Sequence, residues 1–199
     1  MIPVAFIRHG PTAWNEEKRL QGRADVPLSE SGRLKVSGWR LPAEFESYDW
    51  VASPLIRARQ TASLLRIEPA IEPAVIEMNW GEWEGHTFQE LEAKYGDEVQ
   101  RRAAQGLDLR PHGGESPRDV RDRVARWLDG VGRTGRPTGV VAHQGIVRAA
   151  LSLATGWSMI GKPPAKMDWA SVHLFMLDAG GALRMERLNI SLEAEPVLE

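Results

Sequence analysis

The sequence predicts an α/β fold, a three-layer sandwich in which a mostly parallel central sheet carries helices on both faces. Two observations lead to that expectation. Short apolar runs at about 3–7, 50–52, 74–76, 139–142, 171–177 and 182–188 are interleaved with stretches of helical periodicity, as strand-helix-strand connections require. Polar, glycine-containing triplets also follow the first and fourth runs directly, where strands of an open α/β sheet end at a ligand crevice.

Val4-Ala5-Phe6-Ile7 has the length of a buried strand and runs straight into Arg8-His9-Gly10. The helical spacing from Glu30 to Arg40 should stop before Pro42, whose ring removes a donor and disfavours a helical residue in front of it. Trp50-Val51-Ala52 is the second strand, and Ser53 to Ala62 opens a helical pattern carrying Arg57 and Arg59. Ala74-Val75-Ile76 reads as a third strand with Glu77 directly after it, followed by a helical pattern from about Phe88 to Gln105. Ser116-Pro117-Arg118-Asp119 combines an N-cap, a first-turn proline and an acidic third position, so a helix opens there and runs through about Leu128. Gly113-Gly114-Glu115 then lies in the loop before it. Val140-Val141-Ala142, with Gly139 before them, lead into His143-Gln144-Gly145 and a further helix.

Two arginines, Arg8 and Arg57, and two histidines, His9 and His143, therefore gather at strand ends. A guanidinium presents a planar fork of donors matched to phosphate oxygens. A neutral imidazole can attack phosphorus, and a carboxyl group can protonate a leaving oxygen. Glu77, Glu82 and Glu84 compete for that acid role, which proximity to a strand end favours giving to Glu77. His86, His112 and His173 match no such arrangement and read as surface or structural residues. Arg59, two positions beyond Arg57, points to another helical face. Trp80 and Trp83 suit either pocket lining or packing, and Arg19 and Arg23 either an anionic substrate or solvent.

At 199 residues, 42% hydrophobic and 26% charged, the chain can bury a sizeable core and is expected to form a single domain over 1–199. A net charge of −2 argues against a general nucleic-acid or membrane-surface role. Cysteine is absent, which excludes disulfides and thiolate metal sites and suits a reducing compartment. With no apolar stretch of about 18 residues and no signal-like N-terminus, the expected location is cytoplasmic.

Four segments together resemble the histidine phosphatase superfamily, in the branch that holds cofactor-dependent phosphoglycerate mutases and many small phosphatases. Ile7-Arg8-His9-Gly10-Pro11-Thr12, with Asn15 and Gln21-Gly22 beyond, is similar to the opening signature. Ser53 to Ala62, Glu77 to Gly85 and His143 to Gly145 follow in the family's order, and Asp25 to Ser29 and Gly113 to Ser116 match further stretches. The resemblance implies that His9 is the phosphorylated nucleophile, that Arg8, Arg57 and His143 bind the phosphoryl group, and that Glu77 is the proton donor. It also implies that Asn15 helps hold the phosphate and that Gln21 lies near the substrate. Gln144 departs from the pattern, since the family often has Gly after the second histidine; it either narrows the pocket or adds an amide contact.

The expected activity is a phosphomonoesterase acting on a small phosphorylated metabolite, with no metal and no cofactor. Neutral His9 attacks phosphorus, Glu77 protonates the departing alkoxide, and water activated by the same Glu77 releases phosphate. His143 has the opposite protonation preference, since a dianionic phosphate favours its charged form. A phosphoglycerate mutase and a non-catalytic binder of phosphorylated ligands are the alternatives. The short segment between Glu77 and His143 leaves little room for the large lid a mutase needs to exclude water.

Overall fold

A computed structural model describes residues 1–193. Six strands form one sheet in the order β3-β2-β4-β1-β5-β6. They are β1 (Ile2–Arg8), β2 (Asp49–Ala52), β3 (Ala70–Ile71), β4 (Thr138–Ala142), β5 (Ser171–Leu177) and β6 (Leu183–Ser191). The first four pair in parallel, whereas β5 runs antiparallel to β1 and β6 antiparallel to β5. A tight turn with Gly181 at φ 83° joins β5 to β6, and a connection that short can close only an antiparallel pair.

The expected helices on both faces are present. They are α1 (Ala13–Glu16), α2 (Glu30–Ser37), α3 (Ile56–Leu64), α4 (Phe88–Tyr95), α5 (Glu98–Ala103), α6 (Pro117–Thr134) and α7 (Gln144–Thr155). Side chains of β1 alternate between the two layers, as strand geometry requires: Val4 and Phe6 pack with α6 and α7, Ala5 and Ile7 with α2 and α3. On the first face Phe6 meets Phe175 edge to face at 5.6 Å. None of the described helices is long and apolar enough to cross a membrane.

Several boundaries differ from the sequence reading, each for a local reason. The run 74–76 is not a strand but part of a 3-10 turn, Pro73–Val75, capped by the Glu72 side chain. Its backbone is claimed from the side: Arg123 of α6 donates to the carbonyls of Ala74 and Ile76 at 2.6 and 2.9 Å. The strand that does pair with β2 is the shorter Ala70–Ile71. The pattern from Phe88 to Gln105 is broken after α4 by Gly96, at φ 59°. α2 stops at Ser37, short of Arg40, at a Gly38 cap. α6 opens at the Ser116 capping box as expected, but continues past Leu128 because Val131 extends its buried stripe of Val120, Val124 and Leu128.

His173 on β5 is fully buried, in keeping with its structural reading. Its Nδ1 accepts from the Asn189 amide at 3.3 Å, and its ring packs against Trp169. Burial lowers its pKa from 6.5 to about 4. The unfolded chain thus takes up this proton more readily, so the stability His173 contributes is complete above pH 6.5 and is lost as pH falls through about 4. Chemical denaturation of His173→Gln at pH 7 and pH 4.5 should show a pH-dependent loss smaller than that of the unchanged protein by about 2–3 kcal/mol. The same loss in both proteins would contradict a buried neutral imidazole.

Candidate active site

β4 lies between β2 and β1, so three parallel strand ends adjoin, and the residues just beyond them are Ser53, His143 and His9. The ladder continues one step past the strands: the His9 amide donates to Ala142 O at 2.9 Å and the Ser53 amide to Val141 O at 3.0 Å. The two imidazoles meet edge to face with ring centres 5.1 Å apart. Gly10 turns the chain away at once. Its amide donates to Thr61 Oγ1 of α3 at 3.0 Å, and a Cβ there would come within 2.3 Å of Val36 on α2.

Arg57, in the first turn of α3, is completely buried. Its guanidinium is fixed by the carbonyls of Gly22 and Ala24, both at 2.8 Å, while its Nε–H donates to His9 Nε2 at 3.2 Å. The opposite ring nitrogen, His9 Nδ1, lies 2.7 Å from Gly10 O. A carbonyl can only accept, which assigns the ring proton to Nδ1 and the lone pair to Nε2. Burial first, then the charges of Arg8 and Arg57, hold His9 well below its ordinary pKa. Arg8 lies with its guanidinium over Trp169 at 5.1 Å, and its buried Nε has no hydrogen-bond partner among the described residues.

His143 caps the start of α7 and is also fully buried. Its Nε2 lies 2.7 Å from Ser53 Oγ, and its Nδ1 has no partner among the described residues. Burial, then the proximity of His9, Arg57 and Arg8, hold it well below the ordinary value too. The charged form expected of His143 therefore requires the negative charge of an anion beside it.

Glu77 follows the 3-10 turn rather than a strand, yet it arrives at the same crevice. It is the one carboxylate among the described residues that line the pocket. Its Oε1 accepts from the Met78 amide at 2.8 Å and Oε2 from the Gly145 amide at 3.2 Å. α7 approaches so closely that a Cβ on Gly145 would stand 2.2 Å from Glu77 Oε1. Burial raises the Glu77 pKa, outweighing those two amides and the two arginines. The segment is anchored by Glu115, whose Oε2 accepts from Asn79 N at 2.9 Å and from Arg123 at 3.2 Å. The other two carboxylates are engaged elsewhere: Glu82 accepts from Tyr95 outside the pocket, and Glu84 holds the amides of Arg23 and Ala24.

The pocket beside these groups has a volume of about 360 Å³, and the fully buried His143 is not among the residues that line it. Arg8, His9, Asn15, Gln21, Arg57, Glu77 and Gln144 all line it. Asn15 is held in place by Thr12, whose amide and hydroxyl both donate to its Oδ1 at 3.1 Å. Gln21 is buried, with its Oε1 unpartnered among the described residues. Trp80 lines the pocket, while Trp83 packs into a small core with Leu91 and Val99. Arg19 reaches the pocket wall but is committed to Glu17 and Glu90, and Arg59 is exposed. His112 pairs with Glu98 and His86 lies near Glu90, both away from the crevice.

Sequence reasoning missed Ser53 as the partner of His143, Trp169 beneath Arg8, and Arg148, which lines the pocket from α7. For Arg148 a signal existed, since it stands one helical turn after Gln144. Trp169 belongs to an irregular segment and gave none.

A profile of the histidine phosphatase superfamily, branch 1, matches residues 4–191. A bifunctional protein of Mycobacterium tuberculosis is 32% identical over 94% of this chain, which spans only 53% of that relative's length. A 2,3-bisphosphoglycerate-dependent phosphoglycerate mutase of Gloeobacter violaceus is 33% identical over 76% of this chain and 74% of its own. Among solved structures, a mycobacterial glucosyl-3-phosphoglycerate phosphatase in complex with VO3 superposes with a TM-score of 0.77, at 27% identity, covering 96% of this chain and 100% of that one.

The protonation state of His9 can be read directly. Long-range nitrogen-proton NMR of the histidine rings at pH 6 should show His9 neutral, with its proton on Nδ1, although an ordinary imidazole is mostly charged there. Titration of His9 near 6.5, or a proton on Nε2, would contradict the geometry.

Proposed function

The chain belongs to the histidine phosphatase superfamily, branch 1, and we propose that within it this protein is a phosphomonoesterase that works through a phosphohistidine on a small phosphorylated metabolite. The observation that carries the reading is the pairing in one pocket of a neutral His9, its Nε2 lone pair on the arginine side, with a half-buried Glu77 whose pKa is raised.

In the first half-reaction the Arg57 Nε–H passes from His9 Nε2 to a phosphoryl oxygen, the freed lone pair forms a bond to phosphorus as the ester P–O bond breaks, and Glu77 gives its proton to the departing alkoxide. Arg8, Arg57 and His143 carry the charge on the equatorial oxygens, with Asn15 and Gln21 at the edge of that cage. In the second, Glu77 as carboxylate takes a proton from water, the new O–P bond forms, and the N–P bond breaks to return the lone pair to Nε2. All the charge stabilisation comes from the chain's own cations, so neither metal nor cofactor enters the scheme.

Hydrolysis is favoured over mutase chemistry because the pocket mouth is not sealed. Phe88 at its rim is 43% exposed, and only the short helices α4 and α5 fill the stretch where a lid would sit. The phosphohistidine is then accessible to water. Occupation of every catalytic position argues against a purely ligand-binding member. The continuous sheet from β1 to β6 supports one domain, and the absence of cysteine supports a cytoplasmic working place.

Glu77→Gln should reduce kcat/KM, which reports the steps through departure of the alcohol, by about a hundredfold for alkyl phosphates and by far less for nitrophenyl phosphate, whose leaving group needs little help from an acid. Activity of the unchanged protein should persist in EDTA and be inhibited by vanadate. An equal loss across both substrate classes would make Glu77 a structural residue and overturn its assignment.

A further inference from the structure

Arg8 and Arg57 flank His9, yet the chain holds them by different means. Arg57 commits its guanidinium to the protein, donating to Gly22 O, Ala24 O and His9 Nε2. Arg8 has a buried Nε without a hydrogen-bond partner among the described residues, and its guanidinium carbon lies 5.1 Å from the centre of the Trp169 ring. A long side chain gives up rotamer freedom when it must meet an anion in one orientation, which weakens the contact unless the side chain is held beforehand. The face of an aromatic ring attracts a guanidinium and occupies none of its N–H groups. Arg8 is thus held while its donors stay free for oxygens.

The sheet brings Trp169 to this place. Val4, Phe6 and Arg8 alternate onto one face of β1. β5 runs antiparallel beside it, with His173 opposite Phe6 and Val172 opposite Ile7, so the residues before β5 pass the carboxyl end of β1. Trp169 packs there in the layer of Val4 and Phe6 and meets the His173 ring edge to face at 6.2 Å. β6 secures the segment through Asn189, at φ 59°. Its Nδ2 donates to Lys166 O at 3.0 Å and its Oδ1 accepts from the Asp168 amide at 2.7 Å. Asp168 Oδ1 in turn accepts from the Ala170 amide at 3.0 Å, closing the turn around Trp169.

We propose that Trp169 is a positioning residue whose ring holds the Arg8 guanidinium in place for the oxygens of a phosphoryl group. The inference rests on the phosphatase reading and adds to it a residue outside the reaction pocket. Trp169 is not among the residues that line that pocket, and it acts through Arg8.

The test is a double-mutant cycle between Trp169 and Arg8. Trp169→Leu keeps an apolar side chain without a ring, and Trp169→Phe keeps a smaller ring. Trp169→Leu should weaken vanadate inhibition and lower kcat/KM by about tenfold each, and Trp169→Phe by no more than about threefold. In an Arg8→Met background Trp169→Leu should change both by less than about twofold, because the contact it removes is already gone. The same cycle is read as the Kd of inorganic phosphate by calorimetry, which needs no turnover. If Trp169→Leu does not fold, fluorinated tryptophan is incorporated into the unchanged protein and into Trp169→Phe. Phosphate affinity should then fall with each added fluorine in the first and stay level in the second, since fluorine depletes the ring face and leaves its shape nearly unchanged. Equal losses with and without Arg8, equal losses in Trp169→Leu and Trp169→Phe, or indifference to fluorine would make Trp169 a packing residue and overturn the proposal. Coupling in phosphate affinity without hydrolysis of any monoester overturns the phosphatase reading alone, and hydrolysis with additive effects overturns the role of Trp169 alone.

Discussion

The hydrogen bond from His9 Nδ1 to the Gly10 carbonyl, at 2.7 Å, fixes which ring nitrogen holds the proton, and most of the site follows from it. With Nδ1 occupied, Nε2 keeps its lone pair and points it at the buried guanidinium of Arg57. The fold supplies this geometry through ordinary constraints. Parallel pairing of β1 with β4 sets His9 beside His143. The absence of a side chain at Gly10 lets α2 close over the turn, and two loop carbonyls hold the Arg57 guanidinium in place beside His9.

Burial of the site, which the cations assist at His9 and oppose at Glu77, widens the working range of pH. An ordinary glutamate, near 4.5, and an ordinary histidine, near 6.5, are never both mostly in the forms this chemistry needs, because the acid has lost its proton before the imidazole becomes neutral. Burial moves them in opposite directions, Glu77 upward and His9 downward, and the flanking arginines add to the shift at His9. The pH range of a protonated carboxyl and that of a neutral imidazole are thereby drawn toward one another. Groups whose environments shift their pKa values in opposite directions in this way can divide acid and nucleophile between them.

Much of the proposed site was legible in the sequence because three of its groups lie within one residue of a strand end. Arg8, His9 and His143 needed only a strand to place them. Glu77 was found for a reason that proved incomplete: an apolar triplet in front of it looks the same whether it pairs in a sheet or folds into a turn. What decides between them is Arg123, far along the chain, whose hold on two carbonyls no local pattern reveals. Trp169 was invisible for a related cause, because a stacking contact with Arg8 across an irregular segment leaves no periodicity. The break of the helical pattern at Gly96 was in principle readable, since a positive φ is where glycine is most often required.

The central claim is that the Nε2 atom of His9 becomes the phosphorus carrier. Rapid alkaline quench during turnover of a labelled monoester, followed by peptide mapping and phosphorus NMR of the isolated peptide, reads both the residue and the nitrogen. The account predicts label on His9 as the Nε2-phosphorylated isomer. Label on Nδ1, on another residue, or on none while phosphate is being released would contradict it.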